Sequence, residues 1–283
     1  MKRIGVLYHP MIKAAHTLAE EVKDLLAAKG VSVWLGSAWE GEKARSQLKD
    51  TELILTVGGD GTILRATQVA VAAQIPITGI NLGKLGFMAE LSAGEFSDKL
   101  TAILEGKGWL DERAMLEAEL DSGSGKVSTL YALNDVVVAR GAIARVVYVE
   151  ASVDGEPLTT YKADGVIVAT ATGSTGYSLS AGGPILHPQA REFLLAPILP
   201  HLSLAYPLVL PAEAVVTLRL TTHHQAGLSV DGHINLPLES GAVISVKRSA
   251  NCGRFLRIHP EAAFYSSLEQ KLKGKQNVEG RKS

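Results

Sequence analysis

The pattern of apolar and polar positions changes texture once along the 283-residue chain. In the first part, short apolar runs alternate with stretches of helical period. Ile4–Leu7, Val31–Leu35, Leu53–Val57 and Ile77–Ile80 are compact apolar runs bounded by turn residues, the signature of buried strands. Lys13–Lys29 predicts a helix with Leu18, Val22, Leu25 and Leu26 on one face and Gly30 at the position just past its end. Ile63, Leu64, Ala66, Thr67 and Ala70 are spaced for one face of a second helix. Glu95–Glu105 predicts a third, closed by Gly106 and Gly108. Strands alternating with helices predict a doubly wound parallel sheet, which places ligands at the carboxyl ends of its strands.

From Leu116 to Lys247 the runs become short and are broken by Gly, Pro, Asp and Ser, as in Val127–Leu133, Val136–Ala139, Val146–Val153, Gly165–Ala171, Val215–Leu220 and Val243–Val246. That texture predicts a mostly antiparallel all-β domain. Asp154-Gly155, between Val146–Val153 and Pro157–Tyr161, is its clearest hairpin turn. The boundary falls near Trp109–Ala114. Residues 1–112 then form an α/β domain and 113–254 an all-β domain. Residues 255–283 pack back on the first, with a strand at Phe255–Ile258, a helix over Phe264–Leu272 and a frayed basic tail from Lys271 to Ser283.

Composition narrows the class. Charged residues make up 20% and the net charge is -1, so neither nucleic acid nor an anionic membrane surface is an expected partner. The single cysteine, Cys252, excludes an internal disulfide and a multi-thiolate zinc site, and fits a cytoplasmic protein. The apolar run after Met1 is too short for a signal peptide. His223-His224 lacks partners at ligand spacing and reads as a solvated turn, so no residue is expected to hold a metal directly. Phe193–Pro200 is apolar and proline-interrupted, and reads as core or subunit interface.

Two stretches carry chemistry. Gly58-Gly59-Asp60-Gly61-Thr62 joins a buried strand to a helix, where glycines let the backbone approach a ligand and leave amides free. Asp60 is then either a helix N-cap or a carboxylate for a hydroxyl whose proton must leave. The second stretch is Lys162–Ile185. There Thr170-Ala171-Thr172-Gly173-Ser174-Thr175-Gly176-Tyr177-Ser178 crowds hydroxyls and backbone donors into one bend, suited to a phosphate or a polyhydroxylated ligand. Asp-Gly is the favoured hairpin pair, so Asp164-Gly165 and Asp231-Gly232 also read as turns unless their neighbours argue otherwise. The chain has neither a G-x-x-x-x-G-K-[ST] loop nor a G-x-G-x-x-G fingerprint.

Gly58–Thr62, then Leu133-Asn134-Asp135-Val136-Val137, then Asp164–Ile185, then Val230-Asp231-Gly232 resemble the NAD kinases, from the first strand to about His259. The Gly-Gly-Asp-Gly-Thr turn alone is shared with diacylglycerol kinases and 6-phosphofructokinases; the later block is more specific. The resemblance implies transfer of the γ-phosphate of ATP to the 2′-hydroxyl of the adenosine ribose of NAD. Asp60 would be the catalytic base and Gly61 would touch the ribose, with Arg65 facing phosphate. Asn134 and Asp135 would grip the adenosine side, and Arg145, Lys162 and Asp164 would line the dinucleotide, Asp164 on the nicotinamide amide. Thr175, Gly176, Tyr177, Ser178, Leu179 and Ser180 would enclose the adenine, and His233 stands where the family often has Gln. The ligand would lie between the two domains. A divalent cation, Mg2+, would arrive with ATP, and the protein would be a homodimer or homotetramer. The alternatives are a lipid or sphingoid kinase sharing the same turn, and a non-catalytic NADP(H)-binding regulator.

Overall fold

The computed structural model describes residues 1–83, 86–122, 127–141, 145–201, 205–222, 224–261, 264, 265, 268 and 272. The helix expected over Phe264–Leu272 and the tail from Lys271 fall largely outside these residues, as does His223. The elements run in chain order β1 Arg3–Tyr8, α1 Lys13–Ala28, β2 Ser32–Ser37, α2 Gly41–Arg45, β3 Leu53–Val57, α3 Asp60–Ala70, β4 Ile77–Asn81, β5 Leu91–Ser92 and α4 Phe96–Leu104. They continue with β6 Trp109–Asp121, β7 Val127–Ala132, β8 Asp135–Arg140, β9 Val147–Val153, β10 Glu156–Ala163, β11 Gly165–Ala169, α5 Tyr177–Ser180 and β12 Phe193–Ile198. The last are β13 Leu208–Leu210, β14 Val215–Leu220, β15 Ala226–Val230, β16 Ile234–Leu238 and β17 Val243–Arg257. Two compact units result: Met1–Glu112 with Gly253–Ser283, and Arg113–Cys252.

The first unit is α/β. Its sheet runs β4-β3-β1-β2 with every pair parallel, and the end of β17 adds on beside β4 at Phe255. Alternate strand residues Ile4, Val6, Leu53, Leu55, Val57 and Ile80 pack with Ala15, Ala19, Val22 and Leu26 of α1 and Phe96, Leu100 and Ile103 of α4. The opposite face receives α3. A Cβ on Gly79 would stand 2.6 Å from Ile63 Cδ1, so a glycine there is what lets the helix lie close. One expectation fails: Leu25 is 41% exposed. The buried stripe of α1 is Ala15-Ala19-Val22-Leu26, and Leu25 sits about 100° around the helix from Leu26. Gly30 ends α1 as expected, with φ 77° and its N–H on the Ala27 carbonyl at 2.9 Å.

The second unit is antiparallel β. One sheet runs β10-β9-β14-β17, with β6 beside β17 and β7 beside β6; the other runs β13-β12-β11-β8-β15-β16. Their facing residues form one core that includes Val136, Val138, Val149, Tyr161, Val166, Val168, Val216 and Leu228. Phe193–Ile198 is fully within the core of this unit. Asp154 and Gly155, at φ 52° and 83°, turn β9 into β10 as a two-residue left-handed hairpin. No helix among the described residues is long and apolar enough to cross a membrane.

Candidate active site

In the first unit β3 ends at Val57 and α3 begins at Asp60. Gly58 has φ 154°, and a Cβ there would stand 2.3 Å from Thr62 Oγ1, so the turn closes only on glycine. Gly59 is the helix N-cap residue and makes no side-chain cap. Asp60 is therefore not an N-cap. It is the first helical residue, and its carboxylate reaches forward to another segment. Oδ2 accepts the Phe87 N–H at 3.1 Å and Oδ1 the Met88 N–H at 3.3 Å. Gly86 lies so close that a Cβ there would be 2.3 Å from Asp60 Oδ1. A half-buried carboxylate is thus fixed at the positive end of a helix, beside Gly61, where nothing lies within 4 Å of an added Cβ. One turn on, the Arg65 guanidinium lies 4.2 Å over the Trp39 ring, which packs on His9 with centroids 4.4 Å apart. Arg65 makes no hydrogen bond or ion pair among the described residues.

In the second unit Asp231 and Gly232 form the turn between β15 and β16, with φ 51° and 69°. The buried Asp231 carboxylate accepts the N–H groups of Leu133, Asn134 and Asp135 at 2.9, 2.7 and 3.2 Å. It fixes the entry to β8, and with it the side chains of Asn134 and Asp135. The bend after β11 closes on the same place. Thr170 donates its N–H to the Asn134 carbonyl at 2.8 Å, and a Cβ on Gly173 would stand 2.0 Å from that oxygen. A methyl on Gly176 would be 3.8 Å from Asn134 Nδ2 and 3.9 Å from Asp135 Oδ2. Thr175 and Ser178 are buried, Gly176 and Leu179 half-buried, and Tyr177 and Ser180 exposed. His233 follows the turn, with Nδ1 3.1 Å from the Asp231 carbonyl oxygen.

This cluster is short of partners. Asn134 Oδ1 and Ser178 Oγ are buried without a hydrogen bond. Burial, and then the Asp231 charge, push the Asp135 carboxyl up to about 7. Burial also pushes Asp231 up, but three amides oppose it. The three amides favour the charged form of Asp231, whereas Asp135 takes a proton near neutrality.

Asp164 sits at the far end of the same strands. In the registers Ala169↔Asp135 and Gly165↔Ala139 a five-residue strand separates it from the bend, roughly 17 Å. Asp164-Gly165 is not a hairpin turn: the Asp164 N–H bonds the Ile198 carbonyl and its own carbonyl accepts the Arg140 N–H, at a bend where the chain passes from β10 into β11 of the other sheet. The Asp164 carboxylate lies 3.1 Å from Arg140 Nε, a partner the sequence did not suggest. Lys162 lies 5.9 Å over the Tyr148 ring, and Arg145 is exposed. Among the described residues no three or more His, Cys, Asp and Glu side chains cluster as a metal cage. Gly86 and Phe87 belong to the stretch Asn81–Phe87, which the strand pattern already places at a carboxyl end of the sheet, whereas Asp231 and Met88 escaped sequence reasoning as site-building residues. Asp231 read first as a turn, and main-chain donors leave no side-chain signal.

Comparison with known proteins bears on this geometry. The family profile described as the ATP-NAD kinase N-terminal domain matches residues 6–108, and the one described as the C-terminal domain matches 133–258. The chain is 47% identical over 274 residues to an NAD kinase of Dehalococcoides mccartyi, covering 96% of both chains. It is 41% identical over 273 residues to an NAD kinase of Chloroflexus aurantiacus, covering 96% of this chain and 99% of that one. Among solved structures it is similar to yeast NADH kinase complexed with NADH, at TM-score 0.85 and 26% identity over 96% of this chain and 88% of that one. It is also similar to an NAD kinase from Archaeoglobus fulgidus in complex with ATP, at TM-score 0.75 and 28% identity over 96% and 98%.

Proposed function

The chain belongs to the ATP-NAD kinase family, and from that premise we propose that it transfers the γ-phosphoryl group of ATP to the 2′-hydroxyl of the adenosine ribose of NAD. Phosphoryl transfer asks little covalent chemistry of a protein; it asks for an in-line hydroxyl, neutralised phosphates and a place for the departing proton. Asp60 takes or orients that proton. Two amides hold its carboxylate in place, and the open backbone at Gly61 lets the ribose come near. The start of α3 favours phosphate, and Arg65 adds a cation one turn on. Magnesium, held by the ATP phosphates rather than by a cage of side chains, would neutralise their charge.

Asn134, Asp135 and the bend from Thr175 to Ser180 hold the adenosine end of the dinucleotide, and Asp164 the nicotinamide end. The spacing of the two groups across β11 suits an extended dinucleotide. The observation that carries the reading is the lone carboxylate of Asp60, fixed by two amides where β3 gives way to α3.

The test is a coupled assay for NADP formation from NAD with ATP and magnesium. NADP should form, and a chelator should stop the reaction without lowering the melting temperature. A protein that phosphorylates diacylglycerol and leaves NAD untouched would overturn the proposal.

A further inference from the structure

We propose that Arg257, nearly two hundred residues downstream of Asp60, is a positioning residue for it, acting through the Met88 main chain. The inference rests on the reading of Asp60 as the base. The Asp60 carboxylate takes no hydrogen bond from the amides of its own helix; its donors are the Phe87 and Met88 amides. What holds those amides therefore holds the carboxylate. Met88 is gripped from both sides: its N–H goes to Asp60 at 3.3 Å, and its carbonyl accepts Arg257 Nη1 at 2.7 Å. The two bonds belong to adjacent peptide units that meet at the Met88 Cα, so a fixed carbonyl limits how far the N–H can swing from the carboxylate.

Arg257 is itself locked. Its side chain is only 8% exposed, its Nε donates to Asp111 Oδ2 at 3.0 Å, and Nη1 also lies 3.3 Å from Glu90 Oε2. Glu90 is fixed in turn by the N–H groups of Ile258 and His259, both at 2.7 Å. A planar fork can serve the Asp111 carboxylate and the Met88 carbonyl together, which a lysine ammonium cannot match in geometry. Salt bridges this buried are poor sources of net stability, so precise placement is the better account of this one.

The competing account is a staple that merely ties the end of β17 into the first unit. A double-mutant cycle separates the two. Turnover of Arg257→Lys, Asp60→Asn and the double variant is measured with ATP, magnesium and NAD. Arg257→Lys keeps a cation between the two carboxylates. It should lose about tenfold or more in kcat, the scale of a small misplacement, with KM for NAD and ATP moving less than about twofold. In the Asp60→Asn background the same change should cost nothing further. An equal loss in both backgrounds, or an unchanged kcat in Arg257→Lys, overturns the proposal. As a second variant, Arg257→Ala should regain turnover on addition of guanidinium ion when Asp60 is present and not when it is Asn; rescue in both backgrounds also counts against it. Near-wild-type turnover of Asp60→Asn alone would instead remove the base reading on which this one stands.

Discussion

The Asp60 carboxylate and the Asn134-Asp135 cluster are both polar and both at least half-buried, yet they are finished to different degrees. At Asp60 both carboxylate oxygens have amide donors, and the donating segment is tied back through Arg257 to Glu90 and Asp111. At the second cluster Asn134 Oδ1 and Ser178 Oγ are buried without partners, and no hydrogen bond reaches the Asp135 carboxyl among the described residues. Leaving a buried polar group unsatisfied costs about 1–3 kcal/mol, and a ligand that completes two such groups standing beside a buried carboxyl relieves that cost. The difference separates a group set for chemistry from a surface set for recognition. Preorganisation helps the first, because its dipoles need not rearrange during reaction. Open valences help the second, because a ligand that fills them relieves a standing cost.

The largest effect that could break this comparison is at Asp60. Asp60→Asn keeps the shape and one oxygen, which can accept one of the Phe87 and Met88 amides while the new NH2 faces the other. It should lower kcat by roughly 10²-fold or more, the scale of a positioned base, while KM for NAD stays within a small factor. A variant that loses NAD affinity and keeps its turnover would place Asp60 in the recognition class and erase the contrast.

A smaller, opposite split is expected at Asp164. A carboxylate accepting a carboxamide N–H is worth about 1.5–3 kcal/mol. Asp164→Ala should therefore raise KM for NAD by about tenfold or more, with KM for ATP nearly constant and kcat falling less than in Asp60→Asn. If Asp164 serves only its ion pair with Arg140, the melting temperature should drop while KM for NAD stays put. Steady-state kinetics and a thermal melt on one preparation decide this.

Much of the architecture was legible because local pattern and tertiary fate agree. Leu53–Val57 reads as a buried strand and is one, and Asp154-Gly155 reads as a hairpin turn and is one. Legibility ended where identical local chemistry met different surroundings. Asp164-Gly165 and Asp231-Gly232 are the same dipeptide. The first is a bend between two sheets, paired through its backbone with Arg140 and Ile198, and the second turns left-handed between β15 and β16. The length of β17 was hidden for a related reason. Lys247, Arg248, Ser249 and Asn251 interrupt its apolar alternation, although the ladder continues to Arg257. The residues expected at the adenosine end do come together with one another, but the frame that holds them does not show in sequence. It consists of the Asp231 carboxylate, which reaches three amides nearly a hundred residues upstream.

The smallest effect tests the recognition side by pH. Burial and the neighbouring Asp231 raise the Asp135 carboxyl to about 7 in the folded protein, against about 3.9 for an aspartate in an unfolded chain. A folded pKa above the unfolded one means that the folded state binds more protons between those two values. The associated stability is complete below about pH 4 and is lost as pH rises toward 7. By pH 8 Asp135 is charged and buried beside the Asp231 carboxyl group. Asp135→Asn stays neutral throughout and nearly preserves the shape. Its melting temperature should match the wild type near pH 5 and exceed it near pH 8, by about 3 °C or more, because roughly 1 kcal/mol moves a chain of this size by a few degrees. Melts of both proteins across pH 5–8 show the effect as curves that diverge on the alkaline side. Parallel curves would mean that Asp135 is ionised throughout this range, with partners enough to be content there, and the unfilled valence that sets the second cluster apart from Asp60 would have to be sought at Asn134 and Ser178 instead.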